Sequence, residues 1–325
     1  MKDNNDIANT KDSELINLEH KKYDVEISLG SPKGGVMIAD KFYPNILVRN
    51  YWRWLTGMLN DATAPMTDIA DIDRAVATNE VLMAAGWAAT LEFGTSVTAA
   101  AYTQNKLFAS SDPTEGSLSA WAKTVLTDEI VLSISRTAAT DNAREMCIQQ
   151  HMYPDAFYML SRVVPGTPPT TGQLVTYKMR IPRPWVGLYA DWMLGVLTGA
   201  QVSSKDTSSS IFTMRMYVSA MIAGPVRLYI GTGTGAHAWT DFALTAPQRM
   251  TETYTRILNT TDTTLVVSGF IKPTSAVTVG EVGVIGYIFD TAGVGREVLL
   301  ARKVLPTPIE VAANAIFTVK MDITA

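Results

Sequence analysis

Cysteine is almost absent from this chain: Cys147 is the single one in 325 residues. No disulfide can close within the chain, and a zinc site built on cysteines is excluded. Histidine is nearly as scarce, with His20, His151 and His237 far apart and none at an H-E-x-x-H type of spacing. Metal-ligand and Ser-His-Asp chemistry therefore have no foothold in the pattern, and the three imidazoles read as ordinary polar or core residues. Charge is thin as well. Asp, Glu, Lys and Arg make up 18% of the chain, below the usual quarter, and the formal net charge is -4. That balance argues against a general nucleic-acid binder. Long apolar runs are missing too. The most apolar stretch, SIFTMRMYVSAMIAG (210–224), carries Arg215 in its middle, so no membrane span is expected. The first residues, MKDNNDIANTKDSELINLEHKKYD, have no apolar segment of the signal-peptide kind.

What the chain does contain is a repeat. Displaced by about 140 positions, it meets itself in order. YWRWLTGML (51–59) falls on YADWMLGVL (189–197), LEFGTS (91–96) on LYIGTG (228–233), and IVLSI (130–134) on LVVSG (265–269). EMCIQQHMY (145–153) falls on EVGVIGYIF (281–289), Arg162 on Arg302, and Lys178-Met179 on Lys320-Met321. The offset drifts by a few residues only, as loop insertions would make it. The series predicts a tandem duplication: an N-terminal arm over 1–40, one β domain over 41–182 and a second over 183–325.

Each unit opens with an aromatic-rich segment in which a short amphipathic helix is expected, containing Trp54 in the first and Trp192 in the second. Strands follow, each bounded by Gly, Pro or Thr turn signals. Alternation is clearest in FTVKMDI (317–323), where Phe317, Val319, Met321 and Ile323 share one face. DIDRAVATNEVLMAAGW suggests a further helix from near Asp71. The expected class is mainly β, with two mutually similar antiparallel β-sandwich-like domains and short helices.

Four features invite a chemical reading. YIGTGTGAH (229–237) follows a strand, yet its glycines are not at G-x-G-x-x-G spacing and no Walker lysine follows, so a tight surface turn is expected instead of a phosphate loop. Glu145 and Glu281 occupy equivalent strand positions. An acid pair of the glycosidase kind is one reading; a strand-end carboxylate that accepts backbone N–H groups or pairs with Arg162 or Arg302 is the favoured one. The aromatic pairs Tyr51/Trp54 and Tyr189/Trp192 are expected in a core or subunit contact, with a ligand platform as the alternative. No cofactor or metal is expected.

The second unit resembles a group of small β-rich structural proteins, virion- or tail-associated, encoded near the tail genes of tailed bacterial viruses and prophages. The resemblance rests on Ile230-Gly231-Thr232-Gly233-Thr234, on Asp241 and Leu244, on Glu281-Val282-Gly283, on Leu299 through Ile309, and on the opening PWVGLYADWMLGVL. It spans about 140 residues, and the first unit follows it only through the internal alignment. It implies a non-enzymatic structural protein located in the virion, in a tail, baseplate or fibre. Capsid decoration or a turret is the nearest variant. The implied partners are further copies of the chain, as a homo-oligomer, and neighbouring virion proteins. A receptor- or carbohydrate-binding module at a tail tip, stacking sugars on the exposed members among Trp52, Trp54, Trp121, Trp185, Trp192 and Trp239, is the second expectation, and a glycan-degrading spike enzyme the third.

Overall fold

The computed structural model describes residues 22–29, 33–44, 46–47, 51, 53, 55, 63–67, 70, 73–77, 88–101, 106–107, 120–152, 156–198, 200–214, 226–258 and 263–324. Among them strands dominate. The first half runs β1 (Lys22–Leu29), β2 (Lys33–Ile38), β3 (Lys41–Pro44), β4 (Ile46–Leu47), β5 (Thr63–Thr67), β6 (Asp73–Ala77), β7 (Thr90–Gly94), β8 (Ala122–Val125), β9 (Glu129–Thr137), β10 (Glu145–Met152), β11 (Ala156–Val163) and β12 (Leu174–Pro182). The second half runs α1 (Gly187–Thr198), β13 (Val202–Lys205), β14 (Ile211–Met214), β15 (Arg227–Gly231), β16 (Gln248–Arg249), β17 (Thr251–Leu258), β18 (Thr263–Ile271), β19 (Val277–Phe289), β20 (Gly295–Val311) and β21 (Ile316–Thr324). No helix among the described residues is long and apolar enough to cross a membrane.

Alternation explains the strands. In β12, Val175, Tyr177, Met179 and Ile181 are buried while their neighbours are not, the period-2 signature of a sheet with one covered face. Phe317, Val319 and Met321 on β21 are buried in the same way. The sheets have the orders β3-β2-β12-β9-β8, β4-β11-β10-β7, β1-β21-β18-β17 and β16-β15-β19-β20, with two separate hairpins, β5-β6 and β13-β14.

Corresponding sheets share their register. Gly94 faces Glu145 across β7 and β10, and Gly231 faces Glu281 across β15 and β19. Cys147 pairs with Arg162, and Gly283 with Arg302. A β-bulge falls between Ile148 and Gln149 in one ladder and between Val284 and Ile285 in the other. Met179 pairs with Leu132, and Met321 with Val267. A one-residue slip would turn each of these strands inside out, so agreement in register puts side chains from the two halves in matching environments.

Three expectations change. The segment read as an arm over 1–40 enters the sheets from residue 22. β1 lies parallel to β21 in the second half, and β2 antiparallel to β12 in the first. Each therefore fills the place beside the last strand of a half, where an open edge would otherwise remain. Over Asp73–Ala77 the helix expected from near Asp71 is replaced by β6, which pairs with β5 from Thr63↔Ala77 to Thr67↔Asp73; residues 71–72 and 78–87 of that segment lie outside the described residues. Hairpin pairing outweighs the weak helix propensity of so short a segment. The helix around Trp192 forms, but it is not amphipathic: nine of its twelve residues are buried, so it is a core helix. In the first half Tyr51, Arg53 and Leu55 are helical, and Trp54 lies outside the described residues.

The expected division into two domains meets one buried cluster that runs through both halves. It takes in Tyr51, Leu91, Ile148 and Tyr177 from the first, and Trp185, Tyr189, Trp192 and Phe317 from the second. The Trp185 and Tyr189 rings stack with centroids 3.9 Å apart. The phenol of Tyr51 interacts with that of Tyr189. Burial first, then Tyr189 and Tyr177, hold the Tyr51 hydroxyl well above the ordinary phenol range. The Ala89 N–H also donates to the Leu197 carbonyl at the end of α1, at 2.6 Å.

Candidate functional site

Two kinds of site arise from this frame: a buried carboxylate–guanidinium clamp in each half, and a groove between the halves.

In the first clamp Arg162 donates from Nε (2.8 Å) and Nη2 (2.6 Å) to Glu145 Oε2. Both side chains are fully buried. Arg162 Nη2 also donates to the Thr98 carbonyl at 2.9 Å, and the Ser96 N–H reaches Glu145 Oε1 at 3.4 Å. The strand end at β10 delivers Glu145, the adjacent β11 delivers Arg162, and the turn after β7 closes over both. A buried charge needs such saturation, since desolvation is otherwise uncompensated.

The second clamp repeats this arrangement. Arg302 Nε donates to Glu281 Oε2. Arg302 Nη1 donates to Asp241 Oδ2 at 2.9 Å, and Nη2 to the Gly235 carbonyl at 3.0 Å. Glu281 Oε1 accepts from the N–H groups of Gly233 (3.2 Å) and Thr245 (2.6 Å). Burial works against the Arg302 charge, but Glu281 and then Asp241 outweigh it and hold the guanidinium above its ordinary value.

This arrangement accounts for the Gly-rich turn. A Cβ at Gly231 would stand 2.7 Å from Glu281 Oε1, and one at Gly233 2.5 Å from the same atom. The loop does cradle an anion, as its composition suggests, but the anion is the chain's own carboxylate. Gly235 has open space where its Cβ would go. Gly233→Ala is accordingly expected to lower stability by about 1–3 kcal/mol, as overpacking does. Gly235→Ala should stay within about 0.5 kcal/mol of the parent. Thermal melting of the two variants side by side checks the assignment, and equal effects would dismiss the cradle.

The clamps are closed arrangements in which each carboxylate already faces a guanidinium. A glycosidase-like acid pair finds no support in them, because the carboxylate partners are cations and backbone donors. Among the described residues no group of three or more His, Cys, Asp or Glu side chains is placed to hold a metal. His237 takes a structural position: its Nε2 lies 3.1 Å from the Trp185 carbonyl. Burial lowers its pKa, with Asp241 opposing that shift.

The groove lies where β8 and β9 of the first half approach α1, β13 and the 239–242 loop of the second, and encloses about 370 Å³. Lys123 on β8 and Asp191 on α1 form an ion pair across it. Trp239 stands on its wall. The indole Nε1–H donates to the Leu126 carbonyl at 2.9 Å, and the Arg183 guanidinium lies 5.4 Å from the ring centroid. Of the tryptophans considered as stacking faces, Trp121, Trp185 and Trp192 are buried, and Trp52 and Trp54 lie outside the described residues. Trp239 alone of the described ones is half-buried. Sequence reasoning did not single out this groove. Its signals were one tryptophan among several and residues more than 100 positions apart.

No protein-family model matches the chain, and no curated protein or solved structure matches it significantly.

Proposed function

We propose that the chain is a tandemly duplicated, non-enzymatic structural protein of a tailed virus particle, self-assembling and contacting neighbouring virion proteins. The observation that carries the duplication is the recurrence of the clamp. Glutamate, arginine, facing glycine and bulge return at the same register in both halves. Four coordinated features of that kind are hard to reach by two unrelated sheets. A scaffold with two like units offers like surfaces twice per chain, so a trimer would present a pseudo-sixfold ring suited to sixfold surroundings. Outer strands β3 and β8 in one sheet, and β17 in another, supply edges for lateral contacts. The virion assignment itself rests on the turn and strand-end motifs of the second half, from Gly231-Thr232-Gly233 to the Leu299–Ile309 segment. Tail, baseplate or fibre is the favoured place, and capsid decoration or a turret the variant.

The test is labelled imaging of intact particles carrying a tagged chain, together with light scattering of the purified protein at high concentration. Discrete label at a fixed place and a defined oligomer are expected. Particles without label, and a protein that stays monomeric, would end the proposal.

A further inference from the structure

The groove between the halves has a composition that the clamps and the assembly reading leave unused. Its wall joins two rings, Trp239 and Phe242, to aliphatic Val125, Ile130 and Leu188. Its polar groups are Lys123, Lys205, Asp191 and Asp241, with hydroxyls from Ser203, Ser204 and Thr240. Lys123 is paired with Asp191 and Asp241 with Arg302, so the facing charges already have partners. A phosphate, a nucleotide or a cationic ligand would gain nothing from such a field. A purely apolar ligand would strip water from at least four charged groups without replacing it.

A neutral saccharide meets both demands at once. Its C–H faces pack on aromatic rings, and its hydroxyls donate to carboxylates and accept from ammonium groups. We infer that this groove is a binding site for a neutral saccharide, with Trp239 and Phe242 as the stacking wall and the Lys123–Asp191 pair as the hydroxyl-reading group. The volume of about 370 Å³ falls at the small end of the roughly 300–1,000 Å³ of ligand pockets, which suits a short glycan segment.

The wall is held before any ligand arrives. Trp239 is fixed by Leu126, by Arg183 and by His237, whose ring meets it edge-on with centroids 5.4 Å apart. Lys205 Nζ lies 5.3 Å from the Phe242 ring centroid. Asp241 is oriented by Arg302 and by the Ala238 N–H, which donates to its Oδ2 at 2.8 Å. The second clamp thereby positions one carboxylate of the groove. Rings and carboxylates ordered in advance lower the entropic cost of binding a weakly adhesive ligand such as a sugar. The site does not depend on the virion reading. A glycan-binding groove can stand on any protein, and the two proposals fail in different experiments.

The experiment is calorimetric titration of the full chain with neutral trisaccharides of glucose, galactose, mannose and N-acetylglucosamine, alongside glucose 6-phosphate and a fatty acid. At least one neutral trisaccharide is expected to give a saturable signal. Trp239→Ala should weaken it by at least about tenfold. Because Trp239 also makes structural contacts, Ser203→Trp serves as the second variant. Ser203 is exposed on the groove wall, so a bulky ring there fills the space without entering the core, and binding should vanish while the melting temperature holds. Failure of every neutral probe, binding that survives Ser203→Trp, or tighter binding of the phosphate or the fatty acid would each overturn the inference.

Discussion

Arg162→Met is expected to cost the protein about 3–5 kcal/mol of folding stability, the usual consequence of removing one partner from a buried ion pair. Glu145 would lose its cation in a place where neither side chain of the pair reaches solvent. It would lose both guanidinium hydrogen bonds to Oε2. Arg302→Met should be costly as well, because it removes the cation that both Glu281 and Asp241 face. Glu281 would then rely on the Gly233 and Thr245 N–H groups at its Oε1. The double variant Glu145→Leu/Arg162→Met should recover much of the loss, because a hydrophobic pair of similar volume needs no compensation for desolvation. Urea unfolding with a shared slope measures all three. A single Arg162→Met variant within about 1 kcal/mol of the parent would remove the clamp from the list of stabilising features.

The second large effect concerns the core shared by the halves. Trp185→Ala removes a fully buried indole stacked on Tyr189. A loss of about 3–5 kcal/mol is expected for so large a truncation. The informative readout is remote. Cys147 lies in the first half, is almost fully buried, and burial, with Glu92 adding, holds its thiol well above the ordinary value. It can react with a thiol reagent only when the first half opens. If the buried cluster couples the halves as one cooperative unit, Trp185→Ala should speed Cys147 labelling by roughly two to three powers of ten. Independent halves would leave the labelling rate unchanged, and that outcome would sink the shared core.

Much of the β architecture was legible because it is written locally. Alternation in FTVKMDI placed Phe317, Val319, Met321 and Ile323 on one face, and Phe317, Val319 and Met321 are buried. The collinear matches put Glu145 over Glu281 and Arg162 over Arg302, and the two clamps pair each glutamate with its arginine. Over Asp73–Ala77 the expected helix gives way to a strand because a stretch of 5 residues suits either period. Only β5, as a neighbour, decides for the strand. The glycines of GTGTG were read as a turn. Their reason, an internal carboxylate pressed against the backbone, needed Glu281 to arrive from about 50 positions away.

Periodicity and spacing thus sufficed, from the amino acids alone, for a strand-rich chain and for a Glu and an Arg at matched places in a collinear series. They act through near neighbours and through self-comparison. Which edge receives β1, how Tyr51 comes to meet Tyr189, and how Lys123 faces Asp191 across a groove were decided only in three dimensions. A side-chain pattern specifies that a face must be covered. It does not name the distant segment that covers it, because any apolar surface of the right shape lowers the same free energy.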